Sequence, residues 1–341
     1  MASNHGRILA RVARKALSNA EIYLSTKVAA IESHGGPENP RVVVQTNDSV
    51  LEFDEVVVTV PLGCLKRNMP TFSPPLPTQI IRAIQNTSYS RLEKVYIAFP
   101  AAFWDFPTSN SSKTTFPATA DEFSGAKSSA STDTTIFPCF AHFLHPNYSP
   151  SNPSSWTLEL NTLSSNFLFG THAQPTLLFT IYGPCATYLT SQLTPLSTTS
   201  AAYLTLLATF FEPYYSLLPS YSSSDPNCIP TAALATNWQN DELAGHGSYM
   251  NFQVSEDVDV AKGGEEVRLE DDIRALRASV PEKGWWLAGE HTAPFVALGT
   301  ATGAYWSGEA VGMRVLAANG LTSTGQAGEG VGAKGGATTA E

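Results

Sequence analysis

No stretch of the 341-residue chain approaches the eighteen or so consecutive apolar residues that a membrane-spanning helix requires. The first segment also lacks the short apolar core of a secretory leader. These absences lead us to expect a soluble, intracellular protein, most simply cytoplasmic, with no membrane partner. The last three residues, Thr339, Ala340 and Glu341, spell no peroxisomal address. Cysteine is scarce: Cys64, Cys139, Cys185 and Cys228 lie far apart, match no zinc or redox spacing, and read as buried free thiols with no metal site. Basic residues are outnumbered, 20 Lys and Arg against 30 Asp and Glu, for a net charge of −10. A sequence-independent nucleic-acid binder needs basic surface to displace counterions, so that class is set aside. A cationic substrate is compatible with the acidic balance.

What is present begins with length enough for one large or two interleaved domains. Arg7 to Leu17 (RILARVARKAL) places apolar residues at helical spacing between basic ones. It reads as an amphipathic helix, with a mitochondrial presequence as the alternative. Strand-like runs follow in EIYLSTKVAAIE, RVVVQT and LEFDEVVVTVPLG. The VVVTV run is apolar enough for a strand buried on both faces of a parallel sheet. Prolines from Pro61 to Pro77 mark a crossover. LEKVYIAF (Leu92–Phe99) and LLFTIYGP are further strands, and Ser200 to Leu218 is a helix rich in aromatics. ALATNWQND opens an extended segment, and Asp271 to Ser279 forms a short helix. Residues 107–155 are dominated by Ser, Thr, Pro and Asn, and read as a surface insertion or partly disordered loop. The Gly, Ala and Thr of residues 321–341 predict a disordered tail.

Four segments carry chemistry when taken together: VVVTVPLGCLKRN with FSPPLP, RLEKVYIAFPAAFW, NWQNDELAGHGSY, and WWLAGEHTAPFVALGTATGAYWSGEAVG. In this order they resemble the flavin-containing amine oxidases, the family of polyamine oxidases, monoamine oxidases and flavin-type histone lysine demethylases. The resemblance covers about residues 5 to 316 apart from the Ser/Thr-rich insertion. It implies an α/β protein with a Rossmann-like FAD/NAD(P)-binding domain (1–66 and 281–320) and an interleaved α+β substrate domain containing a mixed sheet (67–280). The cofactor implied is FAD; the reactants are a small-molecule amine, most simply a polyamine, and oxygen.

The same resemblance assigns roles. Gly289 removes a side chain so that cofactor can pass, and Glu290 bonds cofactor hydroxyls near the ribityl chain. Free amides at a helix N-terminus favour negative charge, so Ala301 offers its N–H to the flavin's pyrimidine edge. Lys94 corresponds to the lysine that holds a water at flavin N5 and assists reoxidation; burial on its strand would lower its pKa. Trp238 and Tyr249 flank the flavin, and Tyr249 walls an aromatic site attractive to cations. Thr300 stands where monoamine oxidases carry a second tyrosine, and the smaller side chain suits a long polyamine or a peptide lysine. Val28 meets the adenine through its backbone, Val60 and Pro61 line the cofactor, and Phe103 and Trp104 pack beneath the substrate cavity.

Family members open with a strand, a G-x-G-x-x-G turn and a helix that takes the pyrophosphate. Here the N-terminal βαβ is absent. The only match, Gly330, Gly332 and Gly335, sits in the tail without a strand before it or a helix after it. The expectation is therefore a truncated product that binds FAD poorly by itself. The competing readings are a histone demethylase-like enzyme and an inactive remnant that acts as a binding module.

Overall fold

The largest sheet is built around β-strands whose apolar residues recur at every second position, which gathers those residues on one face. The computed structural model describes residues 5–36, 39–105, 139–144, 146, 148–251 and 269–321. Its helices are α1 (His5–Leu17), α2 (Leu62–Arg67), α3 (Thr78–Asn86) and α4 (Asn166–Phe169), followed by α5 (Gly183–Leu193), α6 (Ala201–Tyr215), α7 (Leu269–Ala278) and α8 (Ala301–Ala318). The strands are β1 (Val28–Gly36), β2 (Asn39–Thr46), β3 (Val50–Phe53), β4 (Val56–Val58), β5 (Thr71–Ser73), β6 (Ser88–Tyr89) and β7 (Leu92–Ala98). Beyond them come β8 (Phe140–Phe143), β9 (Leu158–Thr162), β10 (Thr176–Tyr182), β11 (Ala232–Ala235), β12 (Met250–Asn251) and β13 (Trp285–Leu287). The chain divides into two compact units: Met1–Thr26 with Leu62–Asn68 and Ser88–Asn251, and Lys27–Pro61 with Met69–Thr87 and Phe252–Glu341. The sequence reading had drawn its divisions after residues 66 and 280.

In the first unit the five strands run β11-β7-β10-β9-β8, antiparallel throughout. Val95 and Ile97 of β7, Leu177, Phe179 and Ile181 of β10, and Leu158 and Leu160 of β9 are all at most 1% exposed. They form one cluster with Leu189 of α5 and Leu207, Phe211 and Tyr214 of α6. The Phe179 and Phe211 rings lie 4.4 Å apart. Burial of each such side chain contributes about 1.5–3 kcal/mol. α6 starts where expected, because the Ser200 hydroxyl accepts the Tyr203 N–H and caps it. Phe103 and Trp104 are buried in the same cluster, where Trp104 Nε1 donates to Ser164 Oγ at 2.9 Å. The expected insertion at 107–155 is corrected at its end: β8 joins the sheet as an edge strand beside β9. Residues 106–138 lie outside the described residues. α1 forms as its periodicity predicts, with Ile8, Leu9 and Val12 exposed.

The second unit carries a four-stranded sheet, β3-β2-β1-β5, in which β1 is antiparallel to β2 and parallel to β5. The strand expected from residue 21 begins only at Val28. β4 and β13 form a separate parallel pair. Parallel pairing matches the reading of VVVTV, but burial on both faces does not: Val58 is 6% exposed and Val57 45%. Among the described residues β13 is the single hydrogen-bonded neighbour of β4. α3 packs on α7 around Asp272, a fully buried carboxylate that accepts from Asn86 Nδ2 at 3.0 Å and faces Arg82 Nε at 3.5 Å. These partners offset its desolvation. The tail after 321, with its glycine trio, lies outside the described residues. No helix among the described residues is long and apolar enough to cross a membrane.

Candidate active site

In the second unit, β4 and β13 run parallel, so the turns that follow them emerge at the same end of the pair. Ala288 N donates to Val58 O at 3.0 Å and extends the ladder to the point where both chains turn away. Val60 and Pro61 leave one strand and Gly289 and Glu290 the other, all half-buried. The carboxyl ends of parallel strands are where open α/β sheets bind ligands. Val28 stands elsewhere, at the first position of β1 in the four-stranded sheet.

Two restraints hold the turn. Gly289 N donates to Ser307 Oγ on α8 at 3.0 Å, and Arg277 donates from Nε to Thr292 O at 2.8 Å and from Nη2 to Ala293 O. Gly289 has φ 149°, a region that favours glycine, and a Cβ placed there would meet His291 Cε1 at 2.7 Å. Sequence reasoning passed over His291. It is 1% exposed, neither ring nitrogen has a hydrogen-bond partner among the described residues, and burial pulls its pKa down to about 4. The glycine two residues before it, at the end of an apolar strand, was the available signal.

α8 begins at Ala301. Thr300 is its N-cap: the hydroxyl accepts the Gly303 N–H at 2.9 Å. Thr300, Ala301 and Thr302 are exposed. Gly303, Ser307 and Val311 are the buried stripe of the helix, and a Cβ on Gly303 would come within 2.0 Å of Ala297 O.

In the first unit, Lys94, Trp238 and Tyr249 gather around the beginning of β7. Ser90 N donates to Tyr249 O at 2.8 Å, Leu92 N to Ser248 Oγ at 3.1 Å, and Thr236 N to Lys94 O at 2.9 Å. The expected burial of Lys94 is corrected. Alternation along β7 turns Val95 and Ile97 inward and leaves Lys94 exposed. The buried ionisable residue is its neighbour Glu93, 1% exposed, which sequence reasoning missed. Its carboxylate accepts from Thr236 Oγ1 at 2.6 Å, Trp238 N at 3.2 Å and Gln239 N at 3.0 Å. Glu93 therefore fixes the backbone that carries Trp238, whose side chain is 42% exposed. Tyr249 is half-buried and close enough to Tyr182 for the two phenols to interact; burial first, then the Glu159 carboxylate and then Tyr249, push the Tyr182 phenol up. Tyr182 Oη is buried without a hydrogen bond of good geometry.

A family model described as flavin containing amine oxidoreductase matches residues 5–316. Lysine-specific histone demethylase 1 homolog 3 of Arabidopsis thaliana is 46% identical over 69 residues, which is 20% of this chain and 4% of that protein. Peroxisomal N(1)-acetyl-spermine/spermidine oxidase of Bos taurus is 43% identical over 51 residues, 15% of this chain and 10% of that one. The matched stretches thus span a small part of these relatives' length. A redesigned putrescine oxidase superposes with TM-score 0.55 on 91% of this chain and 52% of its own, at 13% identity. Cyclohexylamine oxidase from Brevibacterium oxydans does so with TM-score 0.50 on 90% and 51%, at 17% identity. At such identities the shared property is the fold.

Proposed function

Since the chain belongs to the flavin-containing amine oxidoreductases, we propose that it takes part in oxidising an amine, most simply a polyamine, at a C–N bond. The fold is α/β with the Rossmann-like architecture of the amine oxidases, and the cofactor that the family implies is FAD. The observation that carries the reading is the shared end of β4 and β13, where Val60, Pro61, Gly289 and Glu290 emerge together beside a glycine cradle and an unpartnered buried histidine. A flat, hydroxyl-bearing group such as FAD fits that donor set.

FAD, when bound, supplies a two-electron acceptor for hydride from the amine's α-carbon and is reoxidised by oxygen, which becomes hydrogen peroxide. Water then hydrolyses the imine to aldehyde and amine. The chain's own residues would orient the reactants. Gly289 lets backbone approach the cofactor, and Glu290 accepts from its hydroxyls. The amides at the start of α8, with Ala301 foremost, would donate to its electron-rich edge, Val60 and Pro61 would line it, and Val28, on the other sheet, would meet the adenine through its backbone. Lys94, exposed on β7, would hold a water. Tyr249 offers an aromatic face to the amine, Trp238 flanks the ring system on a backbone held by Glu93, and Thr300 leaves one wall open.

Peroxide release from the purified chain incubated with FAD tests the reading, with spermine, N-acetylspermine, a methylated histone peptide and a monoamine as substrates. Peroxide from the polyamines supports it. Peroxide from the histone peptide alone favours a demethylase-like enzyme, the reading supported by the 46% identity to the Arabidopsis relative. Silence on all four, with no yellow flavin retained, overturns catalysis by this chain and favours a binding module.

A further inference from the structure

The second unit holds a cavity of about 180 Å³ between α7, β13 and α8. Two half-buried arginines line it, Arg277 in the last turn of α7 and Arg314 on α8, with Leu287, Pro294 and Val311 as apolar walls. Both guanidiniums are held by carbonyl oxygens. Arg277 donates to Thr292 O and Ala293 O, while Arg314 donates to Arg277 O and Ala278 O, two of the carbonyls that the end of α7 leaves open. Arg314 also lies over the Trp286 ring, 4.9 Å from its centroid, which fixes the guanidinium plane.

These contacts leave charge and donors unused. A guanidinium has five N–H groups; each arginine spends two on carbonyls and keeps three. Among the described residues no carboxylate lies within 4.0 Å of either one. The acids of α7 are engaged elsewhere, Glu270 and Asp271 with Arg274 and Asp272 with Arg82. Burial lowers the pKa of both arginines, yet a guanidinium stays protonated in a protein. Two like charges thus share one cavity, partly withdrawn from water and without a counter-charge, an arrangement that costs free energy. An oxyanion between them removes that cost, and guanidinium forks match the oxygens of a phosphate group.

We propose that the cavity between α7 and α8 binds a phosphate group through Arg277 and Arg314, as free phosphate or as the monoester of an apolar alcohol. The site is one that the amine-oxidase reading does not use, and it requires no FAD. Because Arg277 also holds Thr292 and Ala293, a bound phosphate would brace the turn that follows Glu290.

Isothermal titration of inorganic phosphate and of n-butyl phosphate into the full chain tests the proposal, without FAD and with sodium chloride holding ionic strength constant. Phosphate should bind saturably and raise the unfolding midpoint, and chloride at the same ionic strength should not. Tighter binding of n-butyl phosphate assigns a monoester; binding no tighter than phosphate assigns the free ion. Ala310 lines the same cavity one turn before Arg314, so Ala310→Glu pairs with Arg314 at helical spacing and sets a carboxylate where phosphate would sit. It should weaken phosphate at least about tenfold, whereas the neutral Ala310→Gln should stay within about threefold of the wild type. Arg314→Gln should weaken phosphate about tenfold to a hundredfold, the range for one charge-assisted contact; if it fails to match the wild-type melting curve, Ala310→Glu carries the test. No saturable binding of either probe by the wild type, or phosphate binding by Ala310→Glu as tight as the wild type's, overturns the site.

Discussion

Acidification should destabilise the second unit through His291. The side chain is 1% exposed, both ring nitrogens are unpartnered, and burial lowers its pKa from 6.5 to about 4. The folded chain thus keeps the ring neutral down to about pH 4, whereas the unfolded chain takes up a proton near 6.5. Between these values the unfolded state binds more protons, so stability falls as pH falls through that window and is flat with respect to this group above pH 7. At about 1.4 kcal/mol per tenfold, the gap corresponds to roughly 3 kcal/mol, a large share of the 5–15 kcal/mol typical of a folded domain. Urea unfolding at pH 7.5, 6, 5 and 4.5, followed by tryptophan fluorescence, measures it, since Trp285 and Trp286 are buried in this unit at 1% and 2% exposure. His291→Leu removes the titration and, by replacing an unpartnered polar ring with an apolar side chain, should cost little at pH 7.5. The wild-type and variant curves should therefore separate progressively below pH 6.5. Curves that stay parallel down to pH 4.5 would refute the assignment of a buried, neutral, unpartnered imidazole.

Three substitutions probe the supports of the site. Gly303→Ala should destabilise by about 2 kcal/mol, because its Cβ would come within 2.0 Å of Ala297 O; Gly312→Ala on the same helix, with nothing within 4 Å, should gain up to about 1 kcal/mol in the same melting experiment. Thr300→Ala removes the cap of α8 and should cost about 1 kcal/mol, while Thr300→Ser retains it. Glu93→Ala strands the Thr236 hydroxyl and two backbone amides and should cost about 3 kcal/mol by urea denaturation of the first unit; a change below 1 kcal/mol would show that the 236–239 segment is held by other means.

Much of the secondary structure follows from local pattern. The alternation in LEKVYIAF and LLFTIYGP makes β7 and β10, Ser200 caps α6, and the run WWL before Gly289 makes β13. β8 was not visible among Ser, Thr and Pro, because a short edge strand is defined by the partner it pairs with. Four motifs in order were enough to indicate the family, since each ties residue types to a fixed spacing within one segment.

What the sequence determined by itself is therefore local: which segments become helix or strand, where a glycine must stand, and which family the motifs resemble. The tertiary structure alone decided the pairing of β4 with β13, more than two hundred positions apart in the chain, and with it the shared end from which the segments of Pro61 and Gly289 leave. It also decided that Glu93 turns inward and Lys94 outward, that His291 loses every polar partner, and that Glu159 comes into line with Lys94 across β10. The physical reason is that side-chain direction on a strand is fixed by period, but which face is buried is fixed by register against distant strands and by the helices that cover them.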